Sequence, residues 1–254
     1  RYADAISLYR EIVAQDPTAD GALDALEKLS EREKDWAVLT EALEKRAEYA
    51  PNDAERIKIL TKAGTVYGEH LGNPSAAASA WKRVLRLDPK NGRALRTLRE
   101  AFLAAQDWDG LEGLYAEAHD WEGLVDVLGA AAERADDPKL KVALSFRAAA
   151  VFVDRIGEPH RAFRNYERIL SVEPKNAQAA AALAPIYERE EKWPRLVGLL
   201  EVLLDAVPAD GSAAERLALI SRIRDICLGK LNDPVSGFLW AVRGYEVAPT
   251  EPSV

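Results

Sequence analysis

The residues of this sequence that could carry out chemistry are three histidines, one cysteine and a number of carboxylates. Glu69 and His70 resemble half of a metalloprotease motif, in which a second histidine one helical turn away completes the pair of metal ligands. The stretch Leu71-Gly72-Asn73-Pro74 follows directly and ends the helix, so no second ligand is in place. We interpret His70 as a surface residue at a helix end, where a cation interacts favourably with the helix dipole.

The single cysteine, Cys227, stands where two other repeats of the chain, identified below, have Tyr67 and Phe152. This position indicates a buried, small apolar group. The alternative is a reactive thiolate, which needs access and a nearby cation such as Arg224, and we favour the buried role. One cysteine also excludes an internal disulfide and a multi-cysteine zinc site.

The remaining motifs of common catalysts are missing from the sequence. There is no glycine-rich phosphate loop that ends in Gly-Lys-Ser/Thr and no Gly-x-Ser-x-Gly elbow. The sequence therefore predicts no enzyme, no cofactor and no metal site. A net charge of −8 argues against a general nucleic-acid binder, which must neutralise many phosphates. No apolar run approaches the roughly 18 residues that a membrane span requires.

Three independent markers recur along the chain with spacings of 72 and 85 residues or of 85 and 75. They are the prolines Pro17, Pro89 and Pro174, the aromatic residues Tyr9, Trp81 and Tyr166, and the prolines Pro74, Pro159 and Pro234. Such a shared period indicates internal repeats, which decide the fold class. The middle repeat is 13 residues longer, which is the distance from Trp108 to Trp121. We therefore predict an extra short helical segment near residues 108–118.

The period divides the chain into modules. We predict a single continuous array over residues 1–254, with super-repeats of approximately 1–73, 74–158 and 159–233 and a partial one at 234–254. No Gly/Ser-rich linker interrupts it. Methionine is absent, so we expect the chain to be a fragment of a larger protein.

Apolar residues recur at helical spacing within each module, and no stretch alternates as a strand would. The first module shows the pattern in Ile6, Tyr9, Ile12 and Val13. Prolines separate segments of mostly helical length. The sequence therefore predicts an all-α protein made of antiparallel helix pairs. We expect its core to include the periodic tryptophans Trp36, Trp81, Trp121 and Trp193.

Three segments match the second-helix half of the tetratricopeptide motif in their spacing. They are Ala5, Tyr9, Ile12 and Pro17, then Ala77, Trp81, Val84 and Pro89, and then Ala162, Tyr166, Ile169 and Pro174. The small residues of the first helix are supplied by Ala63-Gly64 and by Ala148-Ala149. The chain thus resembles tetratricopeptide-repeat proteins over essentially its whole length, with a super-repeat of roughly 72 residues. The resemblance implies a right-handed solenoid of helix pairs, and the Ala-, Arg- and Leu-rich composition is typical of a GC-rich bacterial genome.

In proteins of this family the first helices line a concave groove. The resemblance places in this groove Lys58, Thr61, Thr65, Arg93, Arg96, Glu100, Ala143, Phe146, Ala150, Gln178 and Ala181. Residues 82–99 carry seven basic side chains and one acidic side chain, so an acidic peptide or a chain-end carboxylate could contact the arginines among them. A solvated basic surface is the alternative. The five-residue Lys/Asn/Lys/Arg clamp of chaperone-binding members is incomplete here, so chaperone tails are not implied.

These observations predict a non-catalytic scaffold that binds a protein partner, as a peptide or a helix, in its concave groove. Two alternatives remain open. The array could be a structural spacer or oligomerisation segment, or the regulatory arm of a larger enzyme. We expect protein partners, acidic ones among them, with no nucleic acid and no membrane span, and self-association stays open.

Overall fold

The computed structural model describes residues 2–208 and 212–249, which form fourteen α-helices and no β-strand. The predicted all-α class is confirmed. The helices are α1 (Tyr2–Gln15), α2 (Asp20–Glu33), α3 (Trp36–Glu48), α4 (Asp53–Glu69), α5 (Pro74–Leu87), α6 (Gly92–Ala105), α7 (Trp108–Ala118), α8 (Trp121–Arg134), α9 (Pro138–Ala150), α10 (Phe163–Val172), α11 (Ala177–Arg189), α12 (Trp193–Ala206), α13 (Ala213–Gly229) and α14 (Pro234–Val247). The outer ends of the predicted array, residue 1 and residues 250–254, lie outside the described residues.

The chain divides into two compact units, residues 1–120 with α1 to α7 and residues 121–254 with α8 to α14. Within each unit every helix packs against the next one along the chain. Helix α9 continues into a π-helical segment, Val151–Ile156, and a 3-10 turn, Pro159–Ala162, precedes α10. No helix in the described part of the chain is long and apolar enough to cross a membrane.

Ion pairs connect alternate helices within each unit, so that helix pairs stack side by side. In unit 1 they join α1 to α3 and α3 to α5 through Arg10–Glu41 and Arg83–Glu44, and α2 to α4 through Lys62–Glu27. In unit 2 they join α8 to α10, α10 to α12 and α11 to α13 through Arg168–Glu133, Arg195–Glu167 and Arg222–Glu188. This stacking lets neighbouring pairs share one core.

Most helices begin where a short polar side chain satisfies a free backbone N–H group. The capping oxygens come from Asp35, Asn52, Asn73, Asn91, Asp107, Asp137, Asn176, Ser212 and Asp233. Prolines follow at the first helical position in α5, α9 and α14, where the missing N–H group costs nothing. The helix starts are therefore specified locally by the sequence.

One type of tight turn occurs four times, two residues before a tryptophan that opens a helix. The residue in the turn has left-handed backbone geometry, with φ between 53° and 60°: Lys34, Gln106, His119 and Glu191. The next N–H group closes the preceding helix, as from Asp107 to the carbonyl of Phe102 at 2.9 Å. Three residues after each tryptophan comes a leucine with almost no exposed surface: Leu39, Leu111, Leu124 or Leu196. This turn therefore sets the positions of both the tryptophan and the buried leucine.

All four of these tryptophans are only half-buried. For Trp36, Trp121 and Trp193 this differs from their expected place in the core, and each of these three has a cation or an imidazole beside it, at the end of the following helix. Trp36 stacks on His70 with ring centroids 3.9 Å apart, and Arg155 and Lys230 lie 5.3 and 4.9 Å from the ring centroids of Trp121 and Trp193. Because paired helices are antiparallel, the start of one lies beside the end of the next, and a cation there can cover the indole face.

The motif residues of the second helices form the core in the middle of the chain. In α5 the buried motif residues are Ala77, Trp81 and Val84. In the segment from Pro159 through α10 they are Ala162, Tyr166 and Ile169. The small first-helix residues Ala63, Gly64, Ala148 and Ala149 are also buried. In α1, by contrast, Ile12 is 38% exposed. The paired helices therefore use the positions that the tetratricopeptide motif specifies.

Candidate functional site

The predicted groove residues of unit 1 lie on two of its first helices, α4 and α6. Spacings of three and four residues place each set on one side of its helix. The sets are Lys58, Thr61 and Thr65 on α4, and Arg93, Arg96 and Glu100 on α6. We call these six residues the α4–α6 face.

Arg93 connects the two helices of the α4–α6 face. Its Nη2 atom donates a hydrogen bond to Thr65 Oγ1 at 3.3 Å, and the Thr65 hydroxyl donates to the carbonyl of Thr61 at 2.9 Å. The guanidinium carbon of Arg93 lies 5.5 Å from the ring centroid of Trp81. An arginine held in this way loses less conformational freedom when it binds an anion.

A cavity of about 190 Å³ opens beside Arg93. Its walls include Gly64 and Gly68 of α4, Trp81 of α5 and Leu98 of α6. Gly64 leaves room for the indole, because a Cβ atom at this position would lie 2.8 Å from Trp81 Nε1. The cavity is therefore lined mainly by apolar groups, with the Arg93 guanidinium and the Glu69 carboxylate as its charged members, which suits an apolar side chain of a ligand.

The other charged members of the α4–α6 face are arranged differently. Lys58 is exposed and forms an ion pair with Glu55 of its own helix at 2.8 Å. Arg96 and Glu100 are exposed, and within the described residues neither side chain has an ion-pair or hydrogen-bond partner. Arg96 therefore presents a cation that is available to a ligand.

The basic stretch at residues 82–99 does not form a single patch. Lys82, Arg83 and Arg86 of α5 line a different cavity, of about 560 Å³, in which the Lys82 ammonium lies 5.3 Å from the ring centroid of Phe102. Two arginines of α6 lie on the α4–α6 face instead. The structure thus separates cations that are close in sequence.

Sequence reasoning missed Lys62, which lies one residue after Thr61 and bridges to α2. Its ammonium contacts Glu27 at 2.9 Å and Glu31 at 2.7 Å. Burial alone would lower the pKa of Lys62, but the hydrogen bonds to Glu31 and Glu27 outweigh it and raise the pKa. The sequence signal for this bridge is the pair Glu27 and Glu31, which lie four residues apart on α2. Lys62 is therefore neutralised within the fold, unlike Arg96.

The predicted groove residues of unit 2 lie on α9 and α11. Phe146 is half-buried and Gln178 is exposed, as are Ala143, Ala150 and Ala181. No hydrogen bond or ring contact joins Phe146 to Gln178 among the described residues. This face is weakly polar and offers an aromatic ring without a cation.

The remaining candidate residues for chemistry have structural roles. Cys227 is buried, and burial raises the pKa of its thiol, which disfavours a thiolate. His70 is exposed at the end of α4, as predicted, and stacks on Trp36. In the part of the chain that the structure describes, no three His, Cys, Asp or Glu side chains are grouped so that they could hold a metal ion.

No protein-family model matches the chain, and no curated protein matches it. Several solved structures do. PilF of Pseudomonas aeruginosa is 16% identical with a TM-score of 0.32, over 92% of this chain and 95% of that one. MamA from Desulfovibrio magneticus RS-1 is 15% identical with a TM-score of 0.30, over 98% of both chains. The TPR2AB domain of yeast Sti1, in its complex with pHSP90, is 14% identical with a TM-score of 0.33. The match covers 97% of this chain and 92% of that one.

The paired helices of this chain, with small residues at Ala63 and Ala148 and aromatic residues at Trp81 and Tyr166, define the class by themselves. The chain is an all-α protein of stacked helix pairs, and these positions resemble the tetratricopeptide motif.

Proposed function

We propose that this chain is a non-catalytic scaffold that binds an acidic peptide through the α4–α6 face of unit 1. Arg93 and Arg96 would donate charge-assisted hydrogen bonds to carboxylates of the peptide. An apolar side chain next to the acidic residue would enter the cavity beside Trp81. The expected ligand therefore combines negative charge with one apolar anchor side chain.

The observation that carries the proposal is the contrast between Arg96 and the other cations near α4. Lys58 and Lys62 are neutralised by acidic side chains of the protein, whereas Arg96 is exposed without such a partner. Arg93 beside it is fixed by Thr65 and Trp81. Arg93 lines the apolar cavity, and Arg96 lies about one helical turn away on α6, so a fixed donor and a free donor would together form a recognition site that needs little ordering on binding.

The test compares three versions of the protein as bait in a lysate of the source cells, with the retained proteins identified by mass spectrometry. They are the natural chain, Arg93→Glu with Arg96→Glu, and a control, Lys82→Glu with Arg86→Glu. The control reverses the same amount of charge on the other cavity. We expect a partner that the natural chain and the control retain and the first variant loses.

A synthetic peptide from that partner then gives the affinity by fluorescence anisotropy. We expect Arg93→Glu with Arg96→Glu to raise the dissociation constant at least about tenfold, and added salt to weaken binding. Equal retention by all three versions would contradict the proposal. The spacer and the regulatory arm of an enzyme would then be the better interpretations.

A further inference from the structure

Helix α14 presents a continuous stripe of apolar side chains to solvent. The exposed fractions are 69% for Val235, 68% for Phe238, 58% for Leu239, 40% for Val242 and 60% for Tyr245. Their spacing of three, one, three and three residues places them on one side of the helix. We call these five residues the α14 stripe.

The repeat provides an internal comparison, because α5 and the segment that begins at Pro159 stand in the same register as α14. Three positions of the α14 stripe are polar or charged there: Ser75 and His160 at the position of Val235, Ser79 and Arg164 at that of Leu239, and Lys82 and Glu167 at that of Val242. The equivalents of Phe238 and Tyr245 are apolar throughout. The change to apolar residues is therefore specific to α14 and exceeds what the repeat packing requires.

Leu228 of α13 is 46% exposed. It packs over Gly237, where a Cβ atom would overlap its side chain. Gly237 is buried and faces away from the α14 stripe, so Leu228 holds α13 against α14 and is not part of the stripe. The nearest cation of the helix, Arg243, has its guanidinium carbon 4.7 Å from the ring centroid of Trp240.

The five side chains of the stripe together expose roughly 450 Å² of apolar surface, within the range of the largest patch on a monomeric protein. Two such surfaces pressed together would remove at most about 900 Å² from water, which suits a weak, concentration-dependent contact. The stripe itself carries no charge that would select a charged partner. A surface with these properties is complementary to itself.

We propose that the α14 stripe is the contact surface between two copies of this chain, with the two α14 helices antiparallel about a twofold axis. Such an isologous contact is closed, so it produces a dimer and no filament. The same five residues of each copy pack against those of the other.

The main test replaces the three apolar residues specific to α14 with the residues of α5 at the same positions: Val235→Ser, Leu239→Ser and Val242→Lys. Because α5 forms a helix with these residues, the variant should keep its helicity, which circular dichroism verifies. The matched control is Leu8→Ser with Ile12→Ser, which removes the exposed apolar side chains of α1. Light scattering after size exclusion gives the mass from about 2 to about 200 µM.

We expect the mass of the natural chain and of the α1 control to rise with concentration from 28.0 kDa towards twice that value. The triple variant should raise the dissociation constant more than about thirtyfold and remain monomeric. As a second test, Leu239→Cys should form a disulfide-linked dimer on oxidation faster than Ser7→Cys, its counterpart on α1. Two results would overturn the proposal. The first is a natural chain that stays monomeric up to about 200 µM, which would assign the stripe to a different polypeptide. The second is a dimer that the triple variant leaves intact.

Discussion

At the scale of the residue, the candidate site depends on one glycine. Gly64 lies opposite the Trp81 indole, and the indole in turn supports the Arg93 guanidinium. The spacing of small residues in the first helix indicated a close approach of helices. It did not indicate that the indole would form the wall of a cavity, because the partner of Gly64 lies 17 residues away on another helix.

We expect Gly64→Ala to destabilise the protein by about 1–3 kcal/mol, because the new methyl group overlaps the Trp81 ring and forces it to move. Urea unfolding followed by tryptophan fluorescence measures the change.

Gly68→Ala is the matched control on the same helix. A Cβ atom there would meet only Ala77 Cβ at 3.8 Å, an ordinary contact. Its higher helix propensity should leave stability unchanged or increase it by up to about 1 kcal/mol. Equal losses for both variants would show that the Trp81 contact is not what requires Gly64.

At the scale of the element, helix ends are specified by local chemistry. Asn and Asp caps, prolines at first positions and four left-handed turns set the boundaries, and all of them are read within a few residues. For this reason the all-α class and the positions of most breaks were predictable. The pairing of Trp36 with His70 was not predicted, because it joins residues that are 34 positions apart and depends on how α3 and α4 lie together.

The four left-handed turns use residues other than glycine, so a glycine substitution there should raise the stability of the protein. We expect Gln106→Gly to stabilise the protein by about 1 kcal/mol, since φ is 53° at this residue and glycine adopts such geometry without steric cost. Thermal unfolding measures the gain.

Ala105→Gly is the control for this turn. It changes the last residue of α6 to glycine and should lower stability by roughly 0.5–1 kcal/mol. If both substitutions lowered stability alike, the backbone strain attributed to Gln106 would be absent.

At the scale of the whole molecule, equivalent positions of the repeat have different surroundings. Ile12 and Ile169 occupy the same motif position, yet Ile12 is 38% exposed and Ile169 has no exposed surface. At Ile169 the neighbouring helices of unit 2 cover this position, and at α1, the first helix of unit 1, the neighbouring helices do not. The consequence of a substitution therefore depends on the place of the repeat in the chain.

We expect Ile169→Ala to cost about 2–5 kcal/mol, because it leaves a cavity in a packed core. Ile12→Ala should cost about 1 kcal/mol or less, because the side chain is already partly in water. The two identical substitutions are compared by chemical denaturation under the same conditions. Similar losses would mean that Ile12 is covered in solution, for example by another chain.

The sequence by itself determined the helices, their repeat and a pairing that resembles the tetratricopeptide motif, because apolar spacing, caps and prolines act over a few residues and the repeat period is visible in the order of the residues. It also placed Arg93 and Arg96 on the same side of α6. Only the tertiary structure decided which cations are free. Lys62 is neutralised by α2, Arg93 is fixed by α4 and α5, and Arg96 has no partner among the described residues. These outcomes depend on helices brought together by packing, and a local pattern carries no information about such neighbours.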